Sequence, residues 1–291
     1  MKTFRALILP AFSLVLCGCH GMNHVTTQTP AAPSLVWSDE FNGAANTPPD
    51  PTHWAYDDIH AGSSNHELEI YCGQPGAAQS GDCANYLQNA HLDGNGNLVI
   101  TAVKMPDGQW TSGRLLTQGK FTFTYGRAEA RIKLPFGAGI WPAFWMLGDN
   151  ISSVGWPACG EADMMENVPQ LGPSTIRSSL HGSGYSGGNS LHGDFNFPTG
   201  QRTDTDYHVY GILWSPNSVQ YYVDDSTHPF VTLTPANLPS GATWAFNNHP
   251  FFLLLNLAIG GDWPGPPDAT TPNAVPMYID YVRVYGSSAE K

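Results

Sequence analysis

Along much of the chain, apolar and polar residues alternate with period two, the mark of strands with one buried and one wet face. The clearest case is Ala128 to Leu134, where Ala128, Ala130, Ile132 and Leu134 alternate with Arg127, Glu129, Arg131 and Lys133. Phe121, Phe123 and Tyr125 alternate with Thr122 and Thr124 and predict a strand just before it. Tyr210, Ile212 and Trp214 predict another, and Val219, Tyr221 and Val223 lead into a turn at Asp224 and Asp225. The run Phe251 to Ile259 is apolar on both faces except at Asn256, which suits a central strand between two layers. Met277 to Tyr285 predicts the last strand. Gly, Pro, Asn and Asp punctuate these runs, and no break is long enough to separate domains. The expected fold class is all-β: two antiparallel sheets packed as a jelly-roll sandwich.

Composition agrees. The 291 residues include 31 Gly and 24 Pro but only 12 Lys and Arg, too few for helices packed by charged faces. The net charge of −12 argues against nucleic acid and against an anionic membrane surface, and suits a neutral ligand. A monomer is expected.

The N-terminus departs from the strand pattern. Lys2 and Arg5 precede an apolar run from Ala6 to Leu16, which is too short to span a bilayer and reads as a signal peptide over residues 1–18. Leu16-Cys17-Gly18-Cys19 resembles a bacterial lipoprotein cleavage box, with Cys19 as the acylated residue; an ordinary cleavable leader is the alternative. Residues 19–34, rich in Thr, Pro, Gln and Ala, suit a flexible tether, leaving 35–286 as the catalytic domain. A secreted protein, held to a membrane only by this lipid or free outside the cell, is expected. In such a compartment Cys72 and Cys83 are the natural disulfide pair. Cys159 is left over, as a buried thiol rather than a nucleophile.

The chemistry concentrates in CGEADMMENV at 159–168. Glu161 and Asp163 share one face of a strand, but Glu166 has the opposite parity. One residue inserted as a bulge at Met164 or Met165 puts all three acids on one face. Retaining glycosidases need two carboxyls roughly 5 Å apart, one to attack the anomeric carbon and one to protonate the leaving oxygen. Glu161 and Glu166 can supply them, with Asp163 between them adjusting their protonation. A solvated acidic face would mix in basic residues, and none occurs from Ile151 to Ile176. A transition-metal site would need His or Cys spacing that is absent here.

The segment resembles the ExDxxE signature of glycoside hydrolase family 16, in its laminarinase-like bulged form. The similarity extends to LVWSDEFNG at 35, SGRL at 112, GKFTFTYGRAEARIKLPFGAGIWPAFWMLG at 119, LHG at 180, FFLLLNLAIGGDWPG at 251 and DYVRVY at 280. This resemblance implies a concanavalin A-like sandwich with a concave cleft, Glu161 as nucleophile, Asp163 as assisting acid and Glu166 as general acid/base. Two departures stand out: Ala162 follows the first Glu where the family has Ile, and the region before the NELQ-like motif is GSSNHELEIYC rather than the Trp/Gly-rich form common in laminarinases.

Trp141, Trp145 and Trp156 offer aromatic faces for sugar rings, although Trp145 also suits the core. The resemblance implies that Asn65, Glu67, Arg114, His181 and Asn256 point into the cleft; His181 also reads as a loop histidine satisfied within its own segment. Glu40 and Asp280 match positions implied to hold a structural calcium, and both also read as surface acids. No cofactor for catalysis is expected. The leading expectation is a retaining, endo-acting glycosidase on laminarin-like β-1,3-glucan that works through a covalent glycosyl-enzyme intermediate. Mixed-linkage β-1,3-1,4-glucan or an algal galactan is the alternative on the same scaffold. A non-catalytic β-glucan-binding protein is a third reading, which the presence of both glutamates disfavours.

Overall fold

A computed structural model of the chain describes residues 34–57, 65–73, 83 and 86–286. In chain order the first strands are β1 (Leu35–Asp39), β2 (Ala55–Tyr56), β3 (Glu69–Tyr71), β4 (Ala90–Leu92), β5 (Leu98–Lys104) and β6 (Trp110–Ser112). Next come β7 (Arg114–Leu116), β8 (Gly126–Lys133), β9 (Ile140–Gly148), β10 (Glu161–Glu166), β11 (Thr175–His181) and β12 (Leu191–Asn196). The last five are β13 (His208–Ser215), β14 (Ser218–Val223), β15 (Val231–Leu233), β16 (Phe251–Ile259) and β17 (Ala274–Tyr285).

They form two sheets, giving the jelly-roll sandwich that the alternation predicts. The ten-stranded sheet runs β15-β14-β13-β8-β17-β5-β6-β3, with β1 joining β17 and β4 joining β5. The seven-stranded sheet runs β12-β11-β10-β9-β16-β7-β2. All these pairings are antiparallel except β3 with β6. The first and last strands meet, Leu35 opposite Tyr285, so the two ends of the domain close on each other.

The core lies between the sheets. Ala128, Ala130 and Ile132 of β8 face Phe144 and Met146 of β9 and Leu253, Leu255 and Leu257 of β16 in one buried cluster. Each such Leu, Ile or Phe contributes about 1.5–3 kcal/mol by leaving water. Ala162 is fully buried there too, so the smaller side chain faces the core, away from the acids.

Two strand predictions need correction. Phe121 to Tyr125 is not a strand; only Phe123 makes a bridge, to Phe251. Its alternation comes from aromatic packing: Phe121 stacks on Trp37 at 5.0 Å and on Phe123 at 6.2 Å. Tyr125 then leaves extended backbone altogether, with φ of 61°. The final strand starts earlier than Met277, at Ala274, because Pro276 hid a segment that nonetheless pairs with β5. The signal peptide with Cys19, and the tether up to residue 33, lie outside the described residues. Among the described residues no helix is long and apolar enough to cross a membrane.

The cystine predicted between Cys72 and Cys83 is present, and Cys159 is a buried free thiol. Cys159 packs with Leu116, Leu147, Phe252 and Leu254, and burial, then the charge of Glu161, push its thiol up to about 11. It is an inert apolar contact rather than a nucleophile.

Candidate active site

Strand parity builds the site on the outer face of the seven-stranded sheet. On β9, Trp141, Ala143, Trp145 and Leu147 face outward while Ile140, Phe144 and Met146 enter the core. On β11 the same alternation sends Arg177, Ser179 and His181 outward, and on β16 it sends out Asn256 and Ala258. Across β10 the register slips between Asp163 and Met165 relative to β9, and between Asp163 and Glu166 relative to β11. This is the bulge that parity required. Met164 and Met165 both turn into the core, and Ser178 Oγ donates to the Met164 carbonyl at 2.7 Å, which ties the bulge down. Glu161, Asp163 and Glu166 consequently line one face.

They lie in a cleft of about 720 Å³, which also contains every sequence-predicted sugar contact: Asn65, Glu67, Arg114, Trp141, Trp145, Trp156, His181 and Asn256. That volume is in the range of ligand sites, roughly 300–1,000 Å³. Trp141 Nε1 donates to Glu166 at 3.0 Å, and Trp156 Nε1 donates to Glu161 at 2.9 Å. Trp156 is 51% exposed, far above what a core tryptophan shows, so its ring is free to meet a ligand. Trp145 is cleft wall rather than core: its Nε1 donates to Asn256 Oδ1 at 2.7 Å and Arg114 lies 4.8 Å above its ring. Asn256, the polar residue in an apolar strand, thus has its partner, and its Nδ2 donates onward to Tyr71 Oη at 3.0 Å.

His181 is not merely a satisfied loop residue. Its Nδ1 accepts the Gly187 N–H at 3.1 Å, so Nε2 carries the proton and lies 3.0 Å from Asp163 Oδ2 and 3.8 Å from Glu161 Oε1. Glu161, Asp163 and His181 are the one set of three donors among the described residues close enough to hold a metal, all within 4.8 Å. With Nε2 protonated, however, His181 points a hydrogen rather than a lone pair at that space.

Burial dominates the electrostatics. It pushes Glu161 up to about 8, assisted by the charge of Asp163; His181, the Trp156 N–H and Arg114 pull it back. Asp163 is raised to about 8 by burial. Glu166 stands well above its ordinary value, through burial first and then Asp163, with His181 and the Trp141 N–H opposing. The surroundings therefore separate the two glutamates. Glu161 has the donors and cations that favour an anion, and Glu166 is the better proton holder.

Several lining residues escaped sequence reasoning, among them Arg177, His192, Asp262 and Trp263. Arg177 was readable: it has the parity of His181 on β11. Trp263 was not, because its direction depends on the Gly260-Gly261 turn. Gly260 has φ of 70° and Gly261 of 118°, and a Cβ on Gly260 would sit 2.6 Å from Leu68. Trp263 meets Trp141 edge-on at 5.5 Å.

Glu40 and Asp280, which the resemblance implies to hold a structural calcium, each lie against an arginine. Both oxygens of Glu40 accept from Arg283, at 2.9 and 2.8 Å, and Asp280 accepts from Arg131 at 2.7 Å. Among the described residues neither belongs to a group of three His, Cys, Asp or Glu side chains close enough to share a metal.

Comparison with known proteins agrees with this geometry. The family model "Glycosyl hydrolases family 16" matches residues 79–283. The chain belongs to glycosyl hydrolase family 16. A beta-glucanase of Rhodothermus marinus is 37% identical over 98% of this chain and 96% of its own length. A glucan endo-1,3-beta-glucosidase A1 of Niallia circulans is 36% identical over 88% of this chain, which spans only 38% of that longer protein. Among solved structures, the catalytic domain of an endo-1,3-beta-glucanase (laminarinase) from Thermotoga petrophila is 41% identical, with a TM-score of 0.75, covering 88% of this chain and 98% of that one.

Proposed function

We propose that this family 16 enzyme is a retaining, endo-acting glycosidase that cleaves laminarin-like β-1,3-glucan. The observation that carries the reading is the bulged strand β10, which sets two glutamates on one face of a tryptophan-lined cleft. Glu161, the more readily ionised, attacks the anomeric carbon. Glu166 gives its proton to the departing glycosidic oxygen; a glycosyl-enzyme ester on Glu161 results. Glu166, now ionised, takes a proton from water, and that water releases the sugar. Asp163, anchored by His181, keeps the negative charge of the site from settling on both glutamates at once. No redox or nucleotide cofactor takes part. The protein acts as a monomer, exported by its leader and tethered through Cys19.

A neutral glucan is favoured because the arginines in the cleft are already spent. Arg114 pairs with Asp57 at 3.1 Å and Arg177 with Asp194 at 2.7 Å, so both arginines of the cleft among the described residues already have a carboxylate partner. Mixed-linkage β-1,3-1,4-glucan is the second reading, because the R. marinus relative is named for β-glucan without a linkage. The test is product analysis of residues 35–291 on laminarin, lichenan and agarose, with Glu161→Ala as control. Short β-1,3-linked oligosaccharides from laminarin, absent with the variant, are expected. Cleavage of agarose alone would discard the substrate, and binding without new reducing ends would discard the catalysis.

A further inference from the structure

Beside the catalytic acids lies a second carboxyl pair that the mechanism leaves unused. Glu67 and Glu69 are two residues apart and so share one side of the chain. Asn65 and His66, with φ of 47° and 56°, turn the backbone so that Glu67 enters the cleft. There it accepts from Asn65 Nδ2 at 3.2 Å and from Tyr71 Oη at 3.4 Å. Glu69 lies behind it, 1% exposed. Its Oε2 accepts the Ile259 N–H at 2.7 Å, but its Oε1 is buried with no hydrogen-bond partner among the described residues.

An ionised Glu69 would leave that oxygen stranded out of water beside a second carboxylate. A proton on Oε1 resolves both problems, since the acid then donates and Glu67 accepts. We propose that Glu69 is a positioning residue: it holds a proton and donates it to Glu67, fixing the Glu67 carboxylate as an anionic acceptor for the hydroxyls of a neutral glucan. Burial first, then the charge of Glu67, hold the Glu69 carboxyl well above the ordinary value.

Among the described residues the competing donor is the Tyr71 hydroxyl, whose one proton goes to Glu67 Oε2 at 3.4 Å rather than to Glu69. Trp110, Thr111 and Ser112 of the paired strand β6 do not titrate, and β16 presents Asn256 and the Ile259 amide. Tyr71 is fully buried and held as a neutral phenol. Arg114, 5.8 Å from the Tyr71 ring, is paired with Asp57, and His66 with Asp262 forms an exposed couple at 2.9 Å. The hydrogen-bond chain from Trp145 through Asn256 and Tyr71 ends on Glu67, so its order depends on that carboxylate staying put. The fixed anion also makes this end of the cleft selective, since a sulfated or uronic sugar would meet Glu67 as a like charge.

The role in sugar binding rests on the glucan reading above; the proton does not. Infrared difference spectroscopy of wild type against Glu69→Gln at neutral pH should show a protonated-carboxyl band lost in the variant, the catalytic acids cancelling because both proteins contain them. Absence of that band overturns the proposal whatever the substrate proves to be. Between about pH 6 and about pH 9.5 the KM for laminarin in wild type, divided by that of Glu69→Gln at each pH, should rise about three-fold or more as the pair loses its proton, the titration of the catalytic acids being common to both. Superimposable KM profiles would overturn the positioning role even if the band is present. Glu69→Met, which fills the space but cannot donate, should raise KM about ten-fold without recovery at low pH; a KM equal to that of Glu69→Gln would reduce Glu69 to a space-filler.

Discussion

The paired surface acids and the acids of β10 live under opposite rules. On the ten-stranded sheet and its edge three acids have an arginine: Glu40 with Arg283, Asp280 with Arg131, Glu129 with Arg127 at 3.5 Å. The Arg283 guanidinium holds Glu40 below the usual carboxylate range. On the cleft face three acids crowd one bulged strand, no lysine or arginine among the described residues pairs with them, and the two nearby arginines are bound to other acids. Surface pairs of the first kind are worth little, typically about 0–1 kcal/mol. The uncompensated cluster is costly and needs a different reason to exist, which the chemistry supplies. The contrast teaches that carboxylates placed for stability are matched with cations, while carboxylates placed for reaction are left to argue with one another over protons.

The largest expected effect separates the two sets by activity. Glu161→Ala should abolish laminarin hydrolysis, and Glu166→Gln should lower kcat about 10²–10⁴-fold, while Glu40→Gln leaves turnover within about two-fold. Initial rates on laminarin check this, and a crippled Glu40→Gln would erase the distinction. Asp163→Asn should come next, with kcat reduced about 10–100-fold and the pH profile shifted, because the glutamates lose the charge that divides their protons.

Stability sharpens the comparison with the opposite sign. Burial pushes the Glu161 carboxyl up to about 8, well above the ordinary carboxylate range of the unfolded chain. Between those values the folded state keeps a proton that the unfolded chain has released, so stability falls as pH rises through the window. Glu161→Gln should therefore stabilise the domain at about pH 8 by roughly 1–2 kcal/mol, or several degrees in Tm, and do little near pH 4. Glu40 runs the other way: its contribution is present above the ordinary carboxylate value and is lost as pH falls through its lowered one. Glu40→Gln should cost only about 0.5 kcal/mol at neutral pH, the smallest effect of the series, read by thermal unfolding.

What the sequence disclosed follows the same division. Period-two alternation reports which face of a strand is buried, so the sandwich and the bulge at Met164 and Met165 were readable, while the cleft positions of Trp141 and Asn256 came from aromatic chemistry and the family resemblance. Phe121 to Tyr125 misled because aromatic stacking imitates alternation without a ladder. Parity on β11 would have yielded Arg177 once His181 was assigned outward. Trp263 depended on the left-handed glycine turn before it, which alternation does not encode. The arginine partners of Glu40 and Asp280 lie 243 and 149 residues away in the chain, and only the folded sheet brings them together. The unpartnered oxygen of Glu69 was equally invisible, since HELEIY reads as alternation whether or not its second acid finds a donor.

The central claim is that Glu161 and Glu166 act as nucleophile and acid/base on one face of β10. Its most direct test is the anomeric configuration of the first product released from laminarin, followed by NMR before mutarotation. New reducing ends that appear in the β configuration are the predicted result. New ends of α configuration would mean that water, and not Glu161, attacks the sugar, and would contradict the account.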